Sequence, residues 1–254
     1  MQYVEFITDE NAIILILLFS RISGILAFFP FFNYMTIPVS IKTALALYLT
    51  ILFFPDISGL GVELNISSLT LAILSELMLG FITALALMLV FAALQLAGMQ
   101  MSMVMGFSMS TVLDPSSGSS VPMLSQFFTL LAILMLLAFD GHHMILMFLS
   151  KSFGSIELGG FLATSNMWEY LSKEVTHMFI LGFLLSFPVI ALSLLADIIF
   201  GMLMKTMPQF NLLVVGFPIK IFFSFMVLSA VLSSILLIFK KEFMIAFNFL
   251  KNLI

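Results

Sequence analysis

The residues of this chain equipped for chemistry are few. Asp140, His142 and His143 put a carboxylate and two imidazoles within four positions, a set that could relay protons or take a metal ion. Adjacent histidines on a helix point about 100° apart, however, and do not jointly chelate one ion without distortion; a structural network accounts for the trio at least as well. Arg21, Glu76 and Asp197 also interrupt apolar runs, with Lys42, Lys205 and Lys220 nearer the ends of such runs. A charge at a bilayer centre costs about 2.5–3.5 kcal/mol on insertion scales. These groups therefore call for partners, either in a polar pathway or ion pairs between subunits, or by intrachain pairing and snorkelling. For the lysines the intrachain and snorkelling reading is favoured. No Gly-rich phosphate loop, Ser/His/Asp arrangement or HExxH is present. No catalytic, cofactor-binding or metal-binding residue is assigned, and the chain is not read as an enzyme.

The elements that must position these residues are set by composition. Hydrophobic residues make up 62% of the chain and charged ones 9%, against roughly 45–50% and 25% in soluble domains, so this is an all-α membrane-type protein. With no cysteine, disulfides and thiolate metal sites are excluded. A net charge of −4 gives no basic footprint for nucleic acid. The opening MQYVEFITDE is acidic and lacks the basic start of a signal peptide, so the first helix is expected to remain in the mature protein.

Six apolar segments follow: residues 13–32, 39–54, 69–97, 121–150, 175–204 and 212–239. About six long helices are expected, arranged as hairpins. The 39–54 segment is short for a span, and 69–97 is long, about 43 Å as one helix against a ~30 Å hydrocarbon core. The fourth is expected to bend or end near Gly141, and the polar stretch 151–173, with Trp168 and Tyr170, suits an interface. Lys240, Lys241 and Lys251 favour a cytoplasmic C-terminus. Six full crossings would put both ends on one side, whereas the acidic N-terminus gives no reason to be held inside; the conflict is removed if the short segment does not cross.

The deepest interruption is GMQMSMVMGFSMSTVLDPSSGSSVP, residues 98–122. Pro115 disfavours the α region at Asp114, and the small polar residues after it do not belong in lipid. A Ser120 cap and Pro122 in the first turn restart a helix. Methionine at 99, 101, 103, 105 and 109 cannot form one narrow helical stripe, since alternate residues turn by about 200°. The result is a soft apolar surface beside a loop. Small-residue pairs Ser20/Gly24, Ala93/Ala97 and Ser229/Ser233 permit close helix contacts.

Three stretches carry a resemblance to a known family. LDPSSGSSVPMLSQFFTLLAILMLLAFDGHH is similar to the pattern DP-x-x-G-x-x-x-P-x-L, followed by an apolar helix and Gly-His-His, of the FliR/SctT family of flagellar and injectisome export proteins. FSRISGILAFFPFFNYMTIPVSIKTALAL resembles its N-terminal pattern of Arg, Gly and Pro, with Val39-Ser40 where a Pro-Arg pair is often found. MPQFNLLVVGFPIKI resembles its penultimate turn and final helix.

The resemblance implies a structural and gating subunit of the flagellar type III protein export gate in the bacterial inner membrane and basal body. It would form part of a channel for unfolded flagellar proteins. The implied partners are FliP-like, FliQ-like and FlhB-like subunits, with membrane lipid and export substrates in transit. The implied organisation is a FliP-like region, 1–174, and a FliQ-like hairpin, 175–254. Residues 106–122 would be a plug, with Met105, Gly106, Phe107, Met109, Asp114, Pro115, Gly118 and Pro122 as its residues. Arg21, Lys42, Glu76, Asp140, Asp197 and Lys220 are expected as buried charges. A secondary transporter would instead need an internal repeat, and a membrane enzyme a convergent catalytic set, for which Asp140, His142 and His143 are the one cluster on offer.

Overall fold

Apolar segments without amphipathic faces fold by satisfying their backbone within helices. The structure, a computed structural model, describes residues 9–34, 37–56, 66–107, 122–207 and 212–253. Among these the α-helices are α1 (Asp9–Phe28), α2 (Pro30–Tyr34), α3 (Val39–Phe53), α4 (Ile66–Met105), α5 (Met123–Ala138), α6 (Gly141–Ser155), α7 (Ser165–Thr206) and α8 (Phe217–Leu253), with a 3₁₀ turn at Phe54–Asp56 and a π turn at Leu212–Gly216. Each of the six apolar segments is helical, and the fold is all-α.

Local chemistry sets several ends. Pro30 is the first residue of α2, where its missing N–H leaves nothing unsatisfied. Pro38 precedes α3 in extended conformation (φ −54°, ψ 142°). Hydroxyls inside the helices turn back on the preceding turn, as in Thr50 to Ala46 O at 2.7 Å and Thr83 to Leu79 O at 2.8 Å, so they carry no unmet donor into apolar surroundings.

Four helices are long and apolar enough to cross a membrane: Glu10–Phe28, Ile66–Met105, Ser165–Thr206 and Val214–Asn252. A fifth candidate is the pair α5 and α6, bent by 65° at its break. The expected count of about six is thus four long helices, one bent pair and the 15-residue α3. The expected third segment extends through the methionines to Met105, which makes α4 40 residues, about 60 Å long and twice the hydrocarbon thickness. α4 has 67% of its apolar window buried while the last helix has 17%, so α4 is the core element and α8 turns most of its surface outward.

The chain forms two compact units. One comprises Met1–Leu89, Phe139–Glu174 and Met244–Ile254; the other comprises Val90–Ala138 and Val175–Phe243. In the first, Ile14, Leu17 and Leu18 of α1 pack with Ala72 of α4 and Leu158. Their helices meet at glycine: a Cβ on Gly80 would lie 2.9 Å from the Gly24 backbone, so α1 and α4 touch main chain to main chain, and the Ser20/Gly24 pair supplies part of that contact. In the second unit α4 meets α5 the same way, since a Cβ on Gly98 would lie 2.7 Å from Ser125 Cα. Its core includes Phe91 edge-on to Phe239 at 5.2 Å and the fully buried Phe128, Leu136 and Val189.

Candidate functional site

The methionine run is the C-terminal end of α4. Met101 and Met105, one turn apart, are fully buried, while Met99 and Met103 are 40% and 53% exposed. The residues therefore surround the helix, as their spacing requires. The helix stops at Gly106, which takes φ +93°; its N–H donates to Met103 O at 3.3 Å and the Phe107 N–H donates to Ser102 O at 3.1 Å. That pair of bonds is a Schellman closure, which needs a left-handed residue and so favours glycine.

The closure points two groups at the start of α8. A Cβ on Gly106 would lie 3.1 Å from the Phe217 ring, and the Phe107 ring stands edge-on to Phe225 with centroids 5.8 Å apart. Ser102 Oγ, one turn below, is buried without a hydrogen-bond partner among the described residues. Of the expected plug residues, Gly106 and Phe107 thus sit at one aromatic junction, and Met105 is the fully buried residue before them. Met109, Asp114, Pro115 and Gly118, and the Ser120 cap, lie outside the described residues. Pro122 does not enter the first turn of α5: the helix begins at Met123, and Pro122 O accepts the Gln126 N–H at 3.2 Å from the capping position.

The charged residues separate by burial. Arg21 and Glu76 are both fully buried and form a forked ion pair, Nε to Oε2 and Nη2 to Oε1, the latter at 2.9 Å. Arg21 Nη1 also donates to Ser152 O at 2.9 Å, and Nη2 to Ile156 O at 3.3 Å, so the guanidinium caps the C-terminal end of α6. Glu76 Oε1 accepts the Gly159 N–H at 2.7 Å, and Phe153 lies 5.3 Å from the Arg21 carbon. One buried pair thereby fixes α1, α4, α6 and the turn after α6.

In the other unit Lys220 Nζ donates to both Asp197 oxygens at 2.7 and 2.8 Å. Ser193 Oγ and Ser224 Oγ meet at 3.1 Å between the same helices, and Ser186 Oγ donates to Gln100 Oε1 at 2.6 Å. The serine and glutamine partners were missed in the sequence, although Ser193/Asp197 and Lys220/Ser224 are matched i, i+4 pairs in apolar helices and could have signalled a polar rung.

Of the alternatives open for these charges, the chain takes intrachain pairing: folding brings Glu76 to Arg21 and Lys220 to Asp197. The Lys220 side chain is 6% exposed and paired, in line with the intrachain reading favoured for the lysines. The expected burial is corrected at three residues. Asp140 and Asp197 are not buried, at 75% and 52% side-chain exposure, and Lys42 is half-buried. Asp140 sits at the break between α5 and α6, with its carboxylate exposed.

At that break Asp140 has φ +58° and ψ 29°, and its carbonyl accepts the Met144 N–H at 3.2 Å. His143 Nδ1 lies 3.4 Å from Asp140 Oδ1. The His142 and His143 rings approach to 4.1 Å at 39°, closer than the 100° divergence of adjacent helical positions predicts.

All-α architecture with over-long apolar helices, a buried ion pair and an aromatic junction at the end of a methionine run defines a helical membrane protein. Residues 12–245 match the family described as "Bacterial export proteins, family 1". The chain is 31% identical to the flagellar biosynthetic protein FliR of Bacillus subtilis (strain 168), over 94% of this chain and 93% of that one. It is 27% identical to FliR of Escherichia coli (strain K12), over 92% and 90% respectively. FliR of Aquifex aeolicus (strain VF5) is 31% identical over 84% and 83%. The chain belongs to this export family, in its FliR branch, and is a membrane component of the flagellar export apparatus.

Proposed function

We propose that this protein is a structural and gating subunit of the flagellar type III export gate in the bacterial inner membrane and basal body, forming part of the channel through which unfolded flagellar proteins pass. It works with FliP-like, FliQ-like and FlhB-like subunits. Residues 1–174 act as the FliP-like region and 175–254 as the FliQ-like hairpin. No catalytic step is assigned to it.

The observation that carries this reading is the junction of Gly106 and Phe107 with Phe217 and Phe225 at the end of the methionine run. A gate must admit a chain of varied side chains and exclude ions when closed, so its surface must be apolar and deformable. Methionine packs without the rigidity of branched side chains, and an edge-on aromatic pair is held by about 0.5–1.5 kcal/mol beyond burial, weak enough to part and re-form. Residues 106–122, with Met105, Gly106, Phe107, Met109, Asp114, Pro115, Gly118 and Pro122, are proposed as the plug. The long helices, about twice the hydrocarbon thickness, support an assembly that extends out of the bilayer plane.

Deleting Phe107–Ser119 is the test. The ion pairs and glycine contacts that hold the helices lie elsewhere, so the complex should still assemble, and membranes containing it should leak ions. An assembled deletion variant as tight as the unaltered gate would remove residues 106–122 from the plug role.

A further inference from the structure

We propose that Asp140, His142 and His143 form a binding site for one divalent transition-metal ion of the zinc class at the break between α5 and α6. One ligand atom from each of the three lies within 4.8 Å of the others. Two ligands about 2.1 Å from a tetrahedral ion stand roughly 3.4 Å apart, which is the separation already present between His143 Nδ1 and Asp140 Oδ1 at 3.4 Å. The third ligand atom is within the same 4.8 Å, and the rings of His142 and His143 are gathered to 4.1 Å.

A second observation is independent of that spacing. His142 Nδ1 is sealed from solvent with no hydrogen-bond partner among the described residues. A buried polar atom left unpaired is destabilising, and a ligand that pairs it removes that cost. In the Nε2–H tautomer this nitrogen presents a bare lone pair, the form in which a neutral imidazole ligates a metal.

The backbone is held for the purpose as well. Asp140 is the non-glycine residue with positive φ among the described residues, a strained conformation that persists where the surroundings fix it. The Asp140 and His143 side chains are 75% and 63% exposed, so an ion reaches them from outside while His142 anchors it from within. Two imidazoles and a carboxylate without thiolate suit Zn²⁺, Co²⁺ or Ni²⁺ and not the all-oxygen preference of Mg²⁺ or Ca²⁺. Water completes the coordination. Because the ligands span one turn, the ion ties that turn at the start of α6.

The chain has three histidines, 142, 143 and 177, which makes the test compact. Full-length protein without a histidine tag, in detergent with whatever subunits co-purify, is titrated with Zn²⁺ against a chromophoric chelator and with Co²⁺ by visible absorption. The unaltered chain and His177→Ala should each bind one ion more than His142→Ala/His143→Ala. His143→Ala and Asp140→Asn should weaken it by about 10- to 100-fold, with Mg²⁺ ineffective throughout. Asp140→Asn preserves shape and removes only charge, so it answers even if the double variant misfolds. Equal Zn²⁺ binding by the unaltered chain and Asp140→Asn, no binding by the unaltered chain, or loss of binding in His177→Ala would each overturn the site.

Discussion

Two polar-apolar problems are solved in opposite ways in this molecule. In one unit the Arg21–Glu76 pair is fully buried and every arm is occupied, by carboxylate oxygens, the Ser152 and Ile156 carbonyls and the Gly159 N–H. In the other, the end of α4 meets α8 through Gly106, Phe107, Phe217 and Phe225, with no charged group in the contact. Directional bonds in a low-dielectric interior have one satisfactory arrangement, and leaving them half-made is expensive. Edge-on rings and methionines have many arrangements of nearly equal energy. The gating role proposed above, to stay assembled yet open at one place, would draw on both kinds of contact.

The comparison is broken most severely by removing one member of the buried pair. Glu76→Leu should lower the unfolding free energy by about 3–5 kcal/mol, because the guanidinium is left uncompensated. Arg21→Met/Glu76→Leu should recover most of that loss. Unfolding of detergent-purified protein checks both, and a double variant as unstable as the single would mean the damage lies in packing and not in charge.

Next in size is the glycine contact that lets α1 and α4 bring this pair together. Gly80→Val puts methyl groups where even a Cβ falls 2.9 Å from backbone. Overpacking of this kind costs about 1–3 kcal/mol, and the helices must separate. Gly154→Ala, with nothing within 4 Å of its Cβ, should be tolerated in the same thermal-stability series.

The smallest effect on stability should come from the aromatic junction. Phe107→Ala and Phe225→Ala, combined in a double-mutant cycle, should show a coupling of about 0.5–1.5 kcal/mol. Ion leakage should nevertheless rise in membranes holding either variant with its partners. If these changes destabilise the protein as much as Glu76→Leu, the soft-and-rigid distinction fails.

The Lys220–Asp197 rung shows where reading the chain by itself stops. Its four polar residues are visible as anomalies in apolar helices, and their i, i+4 spacing on each helix is local information. Arg21 and Glu76 are also visible, but they lie 55 residues apart, and nothing local couples them. The choice between partners within the chain and partners in other subunits stays open in the sequence because of that gap.

What the amino-acid sequence determined was the class and the parts: a membrane chain by composition, six helical segments by length, a break near Gly141, and a family by its Asp-Pro, Gly-His-His and Gly-Phe-Pro stretches. These follow from backbone satisfaction and proline geometry, which act within a few residues. Tertiary structure alone decided which charges are buried, that Gly80 meets Gly24, and that Phe107 meets Phe225. The reason is physical. A soluble helix announces its inner face by polarity on the other, but a helix apolar all round, as α4 is, carries no such stripe, so its neighbours are chosen by close packing and a few polar bonds between residues remote in the chain.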